Sequence, residues 1–385
     1  MPKPSLMIVA GERSGDVYGG ELAAALHARL DCDIFGCGGD AMRHGGVETV
    51  VDLREFAMVG ITEVVSGLPR AYRASNRLLA EVGARAPQLA VLIDSPSLNL
   101  RLAKRLKQHH IPVVYFVSPQ IWAWKKWRMK HIQERVDKML CIFDFEEEIY
   151  RRAGVPVEYV GHPLVDSVQT SLTRDEFIAR ARLDPSLQTV ALLPGSREKV
   201  VDFNLPTMLD CASLLASSRP VQFVVAAAPS LDSDWLESRI SRRYAGRATL
   251  RTVTNLTHEA LRYSDFAIVA SGTATVVAAL LECPMIVVYR VSPISWLMGK
   301  FMVDVPFYSM VNLLAKKAVV PEMIQTDFKV KPLAERCIHF LDNSAAREGM
   351  VRELRALRPR LGSGGAIGRA ADAILGVLQP AAVAS

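Results

Sequence analysis

The stretch Thr189-Val190-Ala191-Leu192-Leu193-Pro194-Gly195-Ser196-Arg197 decides the architecture of this chain. An apolar run ends at a Pro-Gly-Ser turn, an arginine follows, and an amphipathic segment near Phe203 to Ala216 predicts the next helix. A strand with no polar alternation has no face for solvent, which is the pattern of a parallel sheet covered by helices on both sides. The same grammar continues outward. Gln222 to Ala226, Thr249 to Arg251, Phe266 to Ala270 and Met285 to Tyr289 read as further strands, with helices at Asp232 to Arg242 and Thr275 to Leu281 between them. The first half repeats it, with strands predicted at Leu6 to Val9, Asp33 to Gly36, Leu89 to Ile93, Val113 to Val117, Lys138 to Ile142 and Val157 to Val160.

This pattern predicts an α/β protein with two doubly wound domains, spanning 1–170 and 185–360. The polar stretch Asp166 to Leu187 connects them in this reading. Beyond Pro321 the chain turns helical, at Lys331 to Asn343, Ala345 to Leu357 and Ile367 to Leu378. The last helix and tail, 361–385, are expected to pack on the first domain or on a partner subunit.

The chain has 385 residues, half of them hydrophobic and 22% charged, with a net charge of +6 and a pI near 9.0. That excludes a disordered, collagenous or coiled-coil chain and leaves room for local contact with an anionic partner. The six cysteines form no CxxC pair, as expected in a reducing cytoplasm. The apolar run at Met1 to Ala10 is too short for a signal-peptide core, and Ala267 to Tyr289 is broken by Ser271, Gly272, Thr273 and Pro284. Neither predicts an anchor.

In open parallel sheets the ligand sits at the carboxyl ends of strands, so the residues that follow each strand carry the chemistry. Gly11-Glu12-Arg13-Ser14-Gly15-Asp16 is either a tight turn with a helix cap at Ser14 or Asp16, or a site built on Glu12. Asp94, directly after an apolar strand in Asp94-Ser95-Pro96-Ser97, is either an N-cap or a desolvated general base. Ser118 to Arg128 interleaves Trp122, Trp124 and Trp127 with Lys125, Lys126 and Arg128, which suits sugar stacking and phosphate contact, or a helix with one aromatic and one basic face. His162 ends the last strand of the first domain, as a hinge residue or a ligand contact. Leu193 to Arg197 and Ala270 to Thr275 each place free backbone N–H groups at a helix start, and Arg197 adds a guanidinium. Such a pair fits a nucleotide diphosphate. No GxxxxGK[ST] loop is present, and no HExxH, paired Cys or DxD-type cluster accompanies His109 and His110, so no metal is expected.

Read in order, AGERSGD at 10–16, IDSPSLN at 93–99, SPQIWAW at 118–124, VGHPL at 160–164, LLPGSR at 192–197, ASGTAT at 270–275 and VNLLAKKAVVPEMIQ at 311–325 resemble the lipid-A-disaccharide synthase family across nearly the whole chain. The resemblance implies the B-type glycosyltransferase fold of two Rossmann-like domains and no cofactor. It implies an inverting reaction that joins UDP-2,3-diacylglucosamine to 2,3-diacylglucosamine 1-phosphate, giving a β(1→6) disaccharide and UDP. By the same resemblance Asp94 is the base and Glu12 a neighbouring acceptor-side catalytic group. Substrate contacts then fall on Ser14, Gly15, Trp122, His162, Gly195, Ser196, Arg197, Ser271, Gly272, Thr273 and Asn312.

Some positions depart from the family pattern. Val277 stands where members commonly carry a glutamate suited to ribose hydroxyls, Val200 replaces a carboxylate shortly after PGSR, Ser97 replaces an aspartate, and AGRE or AGRR reads Ala315-Lys316-Lys317-Ala318. Losing a charge-assisted bond to the ribose removes about 1.5–3 kcal/mol, roughly ten- to hundredfold in donor affinity. These losses make a catalytically weakened paralogue one alternative, and a UDP-sugar 2-epimerase, which shares the two-domain plan, is the other. Acylated substrates imply a peripheral place on the inner face of the cytoplasmic membrane, through Phe56 to Pro69 and Arg70, Arg73 and Arg77. No nucleic-acid partner is expected, and a homodimer is left open.

Overall fold

The computed structural model describes residues 3–56, 61–121, 127–244, 250–293, 296–297 and 305–382, with the backbone alone at 61–69 and 379–382. It divides into two compact units, Met1–Pro163 with Leu361–Ser385, and Leu164–Arg360. Each is built on one parallel sheet. In the first unit the strands are β1 (Ser5–Ala10), β2 (Asp33–Gly38), β3 (Glu48–Asp52), β4 (Leu89–Ile93), β5 (Val113–Phe116), β6 (Lys138–Cys141) and β7 (Val157–Tyr159), in the order β3-β2-β1-β4-β5-β6-β7. The second unit holds β8 (Gln188–Leu193), β9 (Val221–Ala227), β10 (Leu250–Thr254), β11 (Phe266–Ala270), β12 (Met285–Tyr289) and β13 (Glu322–Ile324), in the order β10-β9-β8-β11-β12-β13.

The expected α/β class and double winding are both present. Leu6, Met7, Ile8, Val9 and Ala10 are completely buried, as are Leu89 to Ile93 and Phe266 to Val269, because helices cover both sheet faces. Burying one such Leu, Ile or Val contributes about 1.5–3 kcal/mol. The sequence reading missed β3 and β13. Both are edge strands with one neighbour each, and their mixed burial breaks the apolar run that reveals an inner strand.

The stretch expected to connect the domains is itself folded. Thr173 caps the helix Arg174–Ala181 with a reciprocal Glu176 contact. Ser171 donates to the buried Glu259 carboxylate through N at 2.7 Å and Oγ at 2.9 Å, and Tyr263 Oη donates to Leu172 O at 2.6 Å. The segment therefore packs within the second unit. The helical C-terminus is also as expected, at Val330–Asp342, Ser344–Leu361 and Ala366–Ala382. The last of these returns to the first unit, where Arg369 Nε donates to Val160 O at 2.9 Å and Arg29 pairs with Asp372 at 2.9 Å.

Asp16 shows how a turn is bought with one side chain. Its position makes it, like Ser14, a candidate cap for its own helix, Arg13–His27, yet its carboxylate accepts from Gly39 N at 2.6 Å, Ala41 N at 3.1 Å and Met42 N at 3.2 Å. It thus caps the helix Asp40–His44 from across the fold. Asp16→Ala strands these amides, so urea unfolding of the first unit is expected to show a loss of about 2–3 kcal/mol, with Asp16→Asn milder.

Candidate functional site

In the first sheet the crossovers change direction between β1 and β4, the first strands to leave the centre on either side. At such a switch point the helices depart to opposite faces and leave a crevice above the strand ends. Ala10 stands opposite Ile93 in register, so Glu12 and Asp94 emerge side by side from adjacent strands. The turns touch. A Cβ on Gly11 would lie 2.5 Å from Ser95 Oγ, so only glycine fits there. Glu12 is exposed at the N-cap of Arg13–His27 and makes no side-chain cap bond, while Asp94 is half-buried.

Asp94 and Ser95 both have left-handed backbones, at φ 49° and 44°, and Val117 at the end of neighbouring β5 has φ 64°. For residues with a Cβ this costs on the order of 1–3 kcal/mol each, and such strain collects at functional sites. Around the turn, burial raises the Tyr115 phenol well above its usual value, with the Asp94 charge second. Burial likewise raises Tyr18, and the Glu21 and Asp94 charges add to it. Arg128, 7% exposed, donates to Ser97 Oγ at 3.1 Å, and its burial lowers its pKa. Ser97, which departs from the family pattern, is therefore tied to a guanidinium.

The second sheet reverses in the same way between β8 and β11. Leu193 pairs with Val269, so the Pro194 to Arg197 turn and the Ser271 to Thr273 turn leave the sheet together. Gly195 has φ 129°, and a Cβ there would strike Val200 Cγ1 at 2.6 Å. Val200 thus closes over the turn, where a carboxylate was expected from the family pattern. Ser196 and Arg197 are exposed, and Arg197 starts the helix Glu198–Ser218 as its N-cap. Gly272 is exposed at the start of the helix Thr273–Leu280, with open space where its Cβ would be. Ser271 Oγ donates to Tyr308 O at 2.8 Å. Two helix N-termini and a guanidinium give this end the chemistry that suits an anion.

The family model for lipid-A-disaccharide synthetase matches residues 6–359. The lipid-A-disaccharide synthase of Myxococcus xanthus is 43% identical over 99% of both chains, and that of Solibacter usitatus is 40% identical over 98% of both. The chain belongs to the lipid-A-disaccharide synthase family. Among solved structures, Staphylococcus aureus MnaA in a UDP co-structure superposes with a TM-score of 0.67 at 10% identity, covering 95% of this chain and 94% of that one. A UDP-N-acetylglucosamine 2-epimerase described as putative, from Listeria monocytogenes, gives 0.63 at 13%, over 100% and 98%. The calicheamicin glycosyltransferase CalG4 gives 0.58 at 16%, over 98% and 99%. At these identities the likeness is one of fold, and it is the fold expected from the motifs.

For a lipid-A-disaccharide synthase family member, the expected site residues separate into several groups. Glu12, Ser14, Gly15 and Asp94 gather at the first switch point, and Gly195, Ser196, Arg197, Ser271, Gly272 and Thr273 at the second. Trp122 lies outside the described residues, as do 57–60 of the expected membrane loop. Arg77, expected to face lipid, donates to Glu55 at 2.6 Å, while Arg70 and Tyr72 are exposed on the helix Ile61–Arg85. Asn312, expected on the nucleotide side, is placed within the 308–322 segment. It is buried, donates to Val320 O and Glu322 Oε1, each at 2.8 Å, and accepts from Val319 N at 2.8 Å and Val320 N at 2.9 Å. Its side chain is fully used in holding the 308–322 segment. Glu322 in turn accepts from Tyr308 N at 2.8 Å, so Asn312 braces the carbonyl to which Ser271 is bonded.

One supporting residue there is not marked by any motif. Asn204, completely buried in the helix Glu198–Ser218, donates to Pro194 O at 3.3 Å and accepts from Arg290 N at 3.0 Å, so it joins the ends of β8 and β12. A lone asparagine in an apolar helix was the available signal. Among the described residues no group of three His, Cys, Asp or Glu could hold a metal ion.

His162 is 3% exposed, edge-on to Phe143 with centroids 5.3 Å apart and to Tyr18 at 6.4 Å, and its N–H donates to Leu361 O at 2.7 Å. Burial draws its pKa down to about 3. The folded chain therefore binds fewer protons than the unfolded chain below the ordinary histidine value near 6.5. Stability is full above that value and falls as pH drops, by about 1.4 kcal/mol per pH unit. Urea unfolding between pH 6.5 and 5 is expected to show this slope, and His162→Gln to remove it.

Proposed function

We propose that the chain transfers an acylated glucosamine from UDP to an acylated glucosamine 1-phosphate with inversion, forming a β(1→6) lipid A disaccharide 1-phosphate and releasing UDP. Family membership makes it a glycosyltransferase. One observation carries the mechanism: the first unit's switch point presents carboxylates, and the second unit's presents a guanidinium and two helix starts. The first suits an acceptor hydroxyl that must lose a proton. The second suits a departing diphosphate.

Asp94 takes the proton from the acceptor hydroxyl as that oxygen attacks C1 of the donor sugar. The C1–O bond breaks on the opposite side, and its electron pair leaves with the diphosphate. Arg197 and the N–H groups at 195–196 and 272–273 receive the developing charge, the type of stabilisation that contributes most in group transfer. Glu12 orients the acceptor, with Ser14 and Gly15 beside it. Thr273 supplies a hydroxyl to the phosphates, while Ser271 holds the turn by donating to Tyr308 O. His162 acts through Tyr18 and Phe143, since its burial keeps it from the substrate.

The acyl chains call for a peripheral place at the inner membrane face, with the start of Ile61–Arg85, Arg70 and Tyr72 as the contacting surface. No described helix is long and apolar enough to cross a membrane. The epimerase alternative is not favoured, because the epimerases share the fold at 10–13% identity while full-length relatives near 40% are synthases. The same relatives disfavour a weakened scaffold.

Purified protein given UDP-2,3-diacylglucosamine is expected to release UDP and form disaccharide only when the monosaccharide 1-phosphate is added, as followed by mass spectrometry. Asp94→Asn is expected to lower kcat by about 10²–10⁴-fold while UDP affinity, measured by calorimetry, stays unchanged. Retained turnover would remove Asp94 from the base role. Val277→Glu is expected to tighten UDP binding about ten- to hundredfold, and an unchanged Kd would mean that the ribose is held elsewhere.

A further inference from the structure

We infer that Tyr115 and Asn99 are positioning residues for Asp94, fixing the peptide planes on both sides of it so that its carboxylate is presented at the switch point. The inference rests on the base role proposed for Asp94. Three observations carry it.

First, the turn is strained where the chemistry is. Asp94 and Ser95 take left-handed backbones in succession, at φ 49° and 44°, although neither is glycine. A strand-to-helix turn made with glycine would take this shape without strain. A chain that keeps a Cβ at both positions needs something to hold it there.

Second, the carbonyls on both sides of the Asp94 Cα and its own N–H are occupied. Asn99 Nδ2 donates to Ile93 O at 2.9 Å and to Asp94 O at 2.8 Å, and Tyr115 Oη also donates to Asp94 O. Asp94 N donates to Phe116 O at 3.0 Å. With both adjoining peptide planes fixed, the Cα–Cβ direction is fixed too. Only the two side-chain torsions of Asp94 are then left to set the carboxylate.

Third, the clamp is itself rigid and fully buried. Asn99 and Tyr115 are both completely buried. Asn99 N donates to Ser95 O at 3.0 Å in the first turn of Pro96–Gln108, and Tyr115 stands opposite Leu92 in the β4–β5 register. Asn99 Oδ1 accepts no hydrogen bond among the described residues, so the amide is present for its two donated bonds. A buried amide that leaves its acceptor empty is poorly explained by packing alone.

The test is kinetics over pH with Tyr115→Phe, which removes one hydroxyl and keeps the ring. Tyr150→Phe is the control, since it deletes another buried hydroxyl of the same unit, one that donates to Pro119 O at 3.2 Å, a carbonyl outside this turn. Tyr115→Phe is expected to lower kcat about 10- to 100-fold with KM for both substrates unchanged, and to move the acid limb of the kcat profile. Tyr150→Phe is expected to lose similar thermal stability and keep kcat. The double variant Asp94→Asn with Tyr115→Phe should be no slower than Asp94→Asn alone, because the clamp acts only through Asp94. If Asp94→Asn abolishes turnover but Tyr115→Phe keeps the parent kcat and pH profile, the positioning role is overturned and the base role stands. Equal losses in both tyrosine variants would likewise overturn it, by showing a merely structural effect. Turnover retained by Asp94→Asn would overturn both.

Discussion

The reversal of winding at the centre of each sheet is the constraint on which the rest depends. After β1 and after β4 the crossovers leave toward opposite faces, as they do after β8 and β11. Parallel strands must return over the sheet through right-handed crossovers, so a reversal cannot be closed by helix packing. The strand ends at that point are left open while the rest of each sheet is sealed. Polar chemistry can stand there without the desolvation that any other place in these cores would impose.

Opening the sheet also removes the packing that would hold its turns, and buried polar side chains take over that role. Asn99 holds the turn after β4, Asn204 joins the ends of β8 and β12, and Asn312 braces the segment to which Ser271 is bonded. Each lies within a helix and reaches back to backbone carbonyls, and Asn204 and Asn312 reach amides as well. An amide suits the task because it both donates and accepts without carrying a charge into the core. Asp16 does similar work for the helix Asp40–His44. The switch-point ends of these units are thus held in a different way from their cores: by a few directed hydrogen bonds instead of many apolar contacts.

How far the sequence could be read follows from the same division. Inner strands such as Leu89–Ile93 are buried on both faces, so burial writes itself into the chain as an unbroken apolar run. The edge strands Glu48–Asp52 and Glu322–Ile324 have a wet side and lose that mark. Residues directly after a legible strand were legible as well, which is why Glu12, Asp94, Gly195 and Arg197 stood out. Tyr115 did not, because an aromatic in an apolar strand looks the same whether its hydroxyl is idle or bonded to the turn at Asp94. Asn312 and Arg77 were found by motif and by spacing, but their partners, Glu322 and Glu55, are supplied by other elements.

The sequence by itself determined the α/β class, the double winding and the family, since these depend on local patterning and on motif order along the chain. Only the tertiary structure decided which strands lie side by side, and hence that Glu12 emerges beside Asp94 and Arg197 beside Ser271. Strand order in a parallel sheet is set by crossovers that place β1 against β4, nearly eighty residues apart. It was also the structure that separated side chains presented at the strand ends, such as Asp94, from those such as His162 and Asn312 whose polar groups or rings are committed inside the fold. The physical reason is the same throughout: patterning records how buried a residue is, but not which distant group meets it there.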